Sequence, residues 1–190
     1  MKWLLVACLF LFDLKKSSIN IDFKWILLFF FCVRLLGITN PPLERGHNWR
    51  QSTGLMVARN FLEVDANILK PRIDDHEGWE GVVAMELPLL NYTHFLVAKV
   101  LGYTHWYSRL INLVVTSLGI WCFYLLLRNT VDKRFAWFAG VALLVGTWFM
   151  FSRKSMPDTF SFSLALMAVF AAQKYVSQRK LIYLLAYAVL

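Results

Sequence analysis

The segment NPPLERGHNWRQS, at positions 40–52, places an acid, an imidazole and guanidinium groups directly after an apolar run. Glu44 and His47 can each take a proton from an attacking hydroxyl, which is general-base chemistry. Arg50 carries a planar fork of N–H donors that binds a phosphate through two hydrogen bonds. A helix that begins by His47 would place His47 and Arg50 on one face, because they are three residues apart. Anchoring of the arginines at a membrane interface explains the segment equally well.

A second polar cluster, RKSMPD at positions 153–158, interrupts two apolar runs. Arg153 and Lys154 are candidate anion ligands, and Asp158 is a candidate acid. The structural alternative is that Pro157 occupies the first position of a helix and Asp158 complements the helix dipole. Convergence favours a functional interpretation, because both polar clusters are predicted at the same membrane surface.

Two further residues are secondary candidates for substrate binding. Glu86 precedes Pro88 in the sequence ELPL, where capping of the next helix is the ordinary role of an acid. Arg34 lies near the end of the first apolar run and can extend its guanidinium toward the surface, although simple snorkelling explains it as well. The acid-rich stretch at positions 73–80 offers oxygen ligands but lacks the full spacing of a calcium loop. We assign no cofactor and no metal ligand, and leave dependence on a divalent metal open.

The elements that must position these residues are apolar helices. The chain has 190 residues, is 58% hydrophobic and has a mean hydropathy of +0.52, which indicates a membrane protein. The net charge of +8 resides at the borders of apolar runs and forms no basic stripe, which argues against nucleic-acid binding. Apolar runs that approach the roughly 20 residues of a span occur at 23–38, 110–127, 135–151 and 159–175. The run at 181–190 is shorter, so we expect the N-terminal part of a longer protein.

The segment at 88–101 decides the predicted topology. It is short, and Asn91, His94 and Ala98 give it a weakly apolar face, so we expect an interfacial helix. A second amphipathic helix is predicted at 49–62. The basic turn at 128–134 then lies on the side of the N-terminal lysines, which the positive-inside rule makes the cytoplasm. This gives a leader at 1–22, an outer loop at 39–108 and a multi-pass protein of the plasma membrane.

The order of parts resembles the GT-C glycosyltransferases, in particular the branch of protein O-mannosyltransferases and the lipid A aminoarabinose transferase, a glycosyltransferase family 39 type. The resemblance rests on RQSTGLMVARNF, ELPLLNYTHFLVAKVLG, SRLINLVVTSLGIWCFYLLLRN and RKSMPD, at positions 50–61, 86–102, 108–129 and 153–158. It implies an all-α polytopic membrane bundle, with positions 23–190 forming the N-terminal part of the transmembrane domain.

The resemblance also implies an activity. Such enzymes transfer a sugar from a polyprenyl-phosphate donor to a glycan, lipid or protein acceptor on the outer face of the membrane, with an acid of the first outer loop as base. This chain has His47 and Asn48 where that acid is expected, so His47 and Glu44 remain joint candidates. Arg50 resembles the arginine that follows the acid, and Asp158 the second-loop acid.

Two other hypotheses stay open. The chain could be a non-catalytic lipid-phosphate-binding subunit or a transporter fragment. A transporter should carry polar residues near the middle of the membrane, whereas the runs at 110–127 and 135–151 contain no charged residue. Alternatively, the chain is inactive by itself because further helices complete the donor groove.

Overall fold

The computed structural model describes residues 21–42, 47–74 and 81–190. Within these ranges the chain is helical, as predicted. The helices are α1 (Phe23–Leu35), α2 (Asn48–Glu63), α3 (Leu89–Leu101), α4 (Tyr107–Thr130), α5 (Lys133–Val145), α6 (Thr147–Met150), α7 (Pro157–Gln178) and α8 (Leu181–Val189). A 3-10 turn, Phe151–Arg153, joins α6 to α7. Most of the predicted leader, the candidate base Glu44 and positions 75–80 lie outside the described residues.

Several helix starts follow from local sequence. The Asp132 carboxylate caps α5 by accepting hydrogen bonds from the backbone N–H groups of Arg134 and Phe135, at 2.7 and 2.9 Å. Helix α7 begins with Pro157, whose missing N–H costs nothing at a first helical position, and Asp158 lies in its first turn. The predicted placement, with Pro157 at the first helical position and Asp158 in the first turn, is therefore present.

Helix α4 is the centre of the bundle, because it packs against α1, α3, α5 and α7. The core on this helix contains Phe23, Ile38, Leu113, Ile120, Tyr124, Ala136, Leu144 and Phe149. Helices α4 and α7 approach closely at Gly119, where an added Cβ would lie 2.8 Å from Ser163 Cβ and 2.9 Å from Ser163 Cα. Small residues allow such close backbone packing between membrane helices.

A smaller cluster joins α2 to α3 through Val57, Phe61 and Phe95. The weakly apolar face predicted for α3 is turned toward the protein, with Asn91, His94 and Ala98 buried. Its opposite face is exposed and apolar at Leu89, Leu96 and Val100. This distribution suits a helix that lies along a membrane surface.

Helices α4 and α7, with 24 and 22 residues, are long and apolar enough to cross a membrane. Lys133–Val145 and Thr147–Arg153 are long and apolar enough only when taken together, and with a bend of 50° between them they form either a broken span or a re-entrant loop. The apolar run at 135–151 therefore contains a break at Gly146, whose backbone is extended (ψ 155°) and whose residue type favours helices poorly. Helix α1 has 13 residues, about 20 Å long, and ends before the predicted limit of the run at 23–38.

Candidate functional site

Arg50 connects three parts of the chain that are distant in sequence. Its Nη2 donates a hydrogen bond to Glu86 Oε1 at 2.7 Å and lies 3.6 Å from Asp158 Oδ2. Arg50 is in the first turn of α2, Glu86 precedes α3 and Asp158 is in the first turn of α7. All three side chains are about half exposed, and exposed ion pairs add little stability. The contacts therefore orient the groups more than they stabilise the fold.

A buried arginine fixes the position of this cluster. Arg109, in the first turn of α4, is only 1% exposed. Its Nη1 donates to the backbone oxygens of Asn40 at 2.7 Å and Ile38 at 3.3 Å, in the turn after α1. Its Nη2 donates to Gln51 Oε1 at 3.4 Å, and the same oxygen accepts from Ser155 N at 3.3 Å. Arg109 and Gln51 thus connect the turn after α1, the start of α2 and the turn before α7.

Asn112, one helical turn after Arg109, holds the polar turn at 153–156 in place. Its Nδ2 donates to the Lys154 backbone oxygen and to Thr159 Oγ1, both at 2.8 Å. The sequence patterns alone did not point to Arg109, Gln51 or Asn112 as parts of this site. The sequence did contain one signal for Arg109 and Asn112, since they lie three residues apart at the start of an apolar helix. Polar side chains at that place need partners within the protein.

Three cations lie along the edge of the cluster nearest to α1. Arg153 Nη1 donates to the Leu36 backbone oxygen at 3.0 Å. The Arg34 guanidinium carbon lies 5.5 Å from the Phe149 ring centre, close enough to Arg153 for the two cations to repel each other. Lys154 Nζ lies 5.4 Å from the Phe151 ring centre. Among the described residues, this edge brings three positively charged side chains next to apolar helices.

His47 precedes α2 and contacts the same aromatic ring as Lys154. Its imidazole lies edge-on to Phe151, with the ring centres 5.6 Å apart. The His47 backbone is left-handed, with a φ of 59°. Residues other than glycine adopt this region infrequently, although histidine does so more readily than most. The other candidate base, Glu44, lies outside the described residues.

A cavity of about 340 Å³ opens beside the Arg50–Glu86 pair. One wall is the segment that returns along α2, where Arg59 forms an ion pair with Asp74 and Asn60 Nδ2 donates to Asp74 Oδ1 at 3.0 Å. This pairing raises the pKa of Arg59. The cavity is lined by Trp49, Arg50, Thr53, Gly54, Ile73, Val83, Ala84, Met85, Glu86, Asn91, Ser155 and Pro157.

Behind the cavity, α3 is attached to the next loop through His94. The imidazole is fully buried, its Nε2 is 2.9 Å from the Thr104 backbone oxygen, and its ring stacks on Tyr103. Burial lowers the pKa of His94, an effect opposed by the Thr104 hydrogen bond and reinforced by His105. Burial likewise raises the pKa of Tyr103, whose hydroxyl donates to the Leu55 backbone oxygen at 3.2 Å. This loop therefore ties α3 to α2.

The described residues contain no group of three or more His, Cys, Asp and Glu side chains that could hold a metal ion. Most of the acid-rich stretch at 73–80 falls outside these residues, so dependence on a divalent metal stays open.

An all-helical bundle with membrane-length helices and a charged cluster at one end fits the GT-C class of membrane glycosyltransferases. Comparison with family models agrees: residues 86–190, more than half of the chain, match the dolichyl-phosphate-mannose-protein mannosyltransferase model. The chain belongs to that family, which confirms the resemblance found in the sequence and supports a membrane glycosyltransferase. Searches of curated proteins and of solved structures return no match. The matched region includes Glu86, Arg109 and Asp158, whereas His47 and Arg50 precede it.

Proposed function

We propose that this protein transfers a sugar from a polyprenyl-phosphate carrier to an acceptor hydroxyl at the extracytoplasmic surface of the plasma membrane. The observation that carries the proposal is the meeting of Arg50, Glu86 and Asp158 at one end of the bundle, beside three cations. The family supports a lipid-linked donor in general terms. The acceptor would be a glycan, a lipid or a protein.

The cations next to α1 are suited to the phosphate of the donor. Arg34 and Arg153 are near enough to interact electrostatically, and a phosphate that contacts both guanidinium groups would accept charge-assisted hydrogen bonds from them. Lys154 supplies a third positive charge nearby. The apolar surface of α1 begins at the same place, with Leu36 and Val33 exposed. A lipid phosphate could therefore bind here while its tail stays in hydrocarbon.

The proposed reaction is a displacement at the anomeric carbon of the donor sugar. The acceptor oxygen forms a bond to that carbon, the bond from carbon to phosphate oxygen breaks, and the electron pair leaves with the polyprenyl phosphate. The acceptor proton goes to a general base, for which His47, Glu44 and Asp158 are the candidates. Arg50, held by two carboxylates, would orient Asp158 and contact the departing phosphate, and Glu86 would contact the substrate.

Replacing Arg50 or Asp158 by alanine in the native protein tests this proposal. We expect each variant to lose transfer from a polyprenyl-phosphate sugar in isolated membranes, at unchanged membrane insertion. Lys70→Ala is the matched control, because Lys70 is an exposed cation of the same loop away from the cluster. Wild-type turnover in both Arg50→Ala and Asp158→Ala would exclude the proposed site.

A non-catalytic lipid-phosphate-binding protein is the second candidate, favoured by His47 at the position where the family resemblance leads one to expect an acid. It would use the same three cations. Saturable binding of polyprenyl phosphate, lost in Arg153→Ala, together with no transfer to any offered acceptor hydroxyl would support this candidate over the enzyme.

A further inference from the structure

The end of the bundle remote from Arg50 is strongly basic. Helices α4 and α7 both start at the Arg50 cluster, so their last turns form the other end, together with the starts of α1 and α5. The described residues of this end include two acids, Asp22 and Asp132. They also include seven cations, which we call the basic surface: Lys24, Arg128, Lys133, Arg134, Lys174, Arg179 and Lys180.

Hydrogen bonds at two edges hold the elements of the basic surface together. At one edge, Trp137 Nε1 of α5 donates to the Ile21 backbone oxygen just before α1, at 3.1 Å. At the other edge, Asn129 Nδ2 of α4 donates to Gln173 Oε1 of α7 at 3.4 Å, and Gln173 Nε2 donates to the Leu126 backbone oxygen at 3.3 Å. The short turn from α4 to α5 connects the two edges. The cations of all four helices therefore lie at one end of the protein.

The two acids of this end are engaged locally and neutralise little of its charge. The Asp132 carboxylate caps α5 by accepting from two backbone N–H groups. Asp22 Oδ1 accepts from the Lys24 backbone N–H at 3.4 Å, and its Oδ2 lies 3.6 Å from Lys24 Nζ. Among the described residues, Lys24 is the one cation of the basic surface that forms an ion pair with a carboxylate. The other six cations create a positive field that an anionic partner can neutralise.

Aromatic rings one helical turn earlier hold two of these cations against the side of α7. Lys174 Nζ lies 5.4 Å from the Phe170 ring centre, and the Arg179 guanidinium carbon lies 6.0 Å from the Tyr175 ring centre. A long cationic side chain that runs along an apolar ring keeps its stem in apolar surroundings and its charge at the polar border. The basic surface therefore presents charge at the level where the apolar helices end.

Apolar side chains stand beside the exposed cations. Val176 and Leu181 are exposed and flank the two cations of the turn between α7 and α8, and the exposed Trp25 follows Lys24. A free phosphate or a nucleic acid would meet the charges and leave these apolar groups in water. A phospholipid suits both, because its phosphate contacts the cations while its acyl chains cover the apolar side chains.

We propose that the basic surface binds the headgroups of anionic phospholipids from the surrounding membrane, most closely at the turn between α7 and α8 around Arg179 and Lys180. The partner is a lipid with a net negative headgroup, such as phosphatidylglycerol. The predicted topology places this surface at the cytoplasmic leaflet, whose anionic lipids attract clusters of Lys and Arg. The inference does not rest on the proposed function, because the Arg50 cluster lies at the opposite end of α4 and α7.

Native mass spectrometry of the full chain in detergent tests this inference, with equimolar phosphatidylglycerol and phosphatidylcholine of identical acyl chains. The ratio of the two bound lipids is measured for the wild type, for Lys180→Gln and Lys133→Gln, and for the variant that combines them. Lys180→Arg keeps the charge, and Lys70→Gln is the matched control, because it removes an exposed lysine away from this end. All changed residues are exposed, so the variants should fold.

We expect the wild type to prefer phosphatidylglycerol, and each single Lys→Gln variant to lower that preference by about fivefold, the attraction of one cation to an anionic lipid surface. The combined variant should show the largest loss. Lys180→Arg and Lys70→Gln should keep the wild-type ratio. Glycerophosphoglycerol, the same headgroup without acyl chains, should not bind at the concentration at which the lipid does.

Equal binding of the two lipids by the wild type, or a wild-type ratio in the combined variant, overturns the inference. Loss of the preference in Lys180→Arg or in Lys70→Gln, as large as in Lys180→Gln, overturns it as well, because the effect would then not depend on positive charge at this surface. Binding of glycerophosphoglycerol as tight as that of phosphatidylglycerol would show a site for a soluble anion instead of a lipid.

Discussion

At the scale of single residues, the proposed chemistry depends on which group accepts the acceptor proton. His47 lies at the start of α2 beside the cations, and its backbone has a left-handed φ of 59°. Glycine, asparagine and aspartate also tolerate this conformation, so the imidazole can be removed or replaced without adding backbone strain.

We predict that His47→Gly loses sugar transfer by about 10²–10⁴-fold, the usual contribution of a general base, while its melting temperature stays near wild type. His47→Asp should recover most of the activity, because it restores a carboxylate base. Transfer rates and thermal unfolding of the purified protein check both expectations. A wild-type rate in His47→Gly would exclude His47 as the base and leave Glu44 and Asp158. Transfer rates of Glu44→Gln and Asp158→Asn would then show which of the two is the base.

His94 predicts a dependence of stability on pH. Burial lowers its pKa in the folded protein below the usual 6.5, so the unfolded chain binds a proton at a higher pH than the native protein. The contribution of the neutral His94 imidazole to the free energy of unfolding is fully present above pH 6.5. It is lost as the pH falls toward the pKa of His94 in the folded protein. The groups facing this ring are Thr104, Tyr103, Tyr107 and His105.

We therefore expect the melting temperature in detergent to decrease between pH 6.5 and 5, and the His94→Gln variant to lose most of that decrease. His47→Asn is the control, because His47 is an exposed imidazole that is not one of the groups facing His94. Equal pH profiles for wild type and His94→Gln would contradict the assignment.

At the scale of elements, one buried side chain connects helices that are far apart in sequence. Arg109 donates to the turn after α1 and to Gln51 of α2 from the first turn of α4. Without it, the backbone oxygens of Ile38 and Asn40 would lose their guanidinium donor.

Arg109→Leu should lower the free energy of unfolding by roughly 3 kcal/mol, since each orphaned buried group costs about 1–3 kcal/mol. Arg109→Lys should recover only part of this loss, because an ammonium cannot reproduce the guanidinium fork. Arg128→Leu, at the exposed opposite end of the same helix, is the control. Wild-type stability of Arg109→Leu in reversible unfolding would show that the network contributes nothing.

The contact between α4 and α7 predicts a second effect at this scale. A methyl group on Gly119 would lie under 3 Å from both Cβ and Cα of Ser163, so a backbone must move. We expect Gly119→Ala to cost about 1–3 kcal/mol, the typical penalty of overpacking. Leu118→Ala, on the exposed side of α4, should change the melting temperature much less. A larger loss of stability in Leu118→Ala than in Gly119→Ala would contradict the close packing.

Apolar runs located the long helices well, because a run without charges specifies a helix in a membrane. The runs at 110–127 and 159–175 lie within α4 and α7. Composition alone did not locate the break at Gly146, since a glycine inside an apolar run leaves hydropathy almost unchanged. Arg109 was missed for a similar reason: an arginine at the border of an apolar run has the signature of an interfacial anchor.

At the scale of the whole molecule, the sequence predicted that two polar segments meet, but not through which atoms. The Arg50–Asp158 contact and the repulsion between Arg34 and Arg153 depend on how α1, α2 and α7 pack around α4. Local patterns contain no such information. The catalytic and binding roles of these residues stay predictions, as does their location outside the cytoplasm.

The central claim is that these residues form one lipid-phosphate site on the outer membrane surface. Cysteine labelling of intact cells tests it most directly, with His47→Cys, Asp158→Cys and Val131→Cys made separately in a cysteine-free protein. We predict that a membrane-impermeant thiol reagent labels positions 47 and 158, that added polyprenyl phosphate slows both reactions, and that position 131 reacts only after permeabilisation. Labelling of 47 and 158 from opposite sides, or of both only after permeabilisation, would contradict the account.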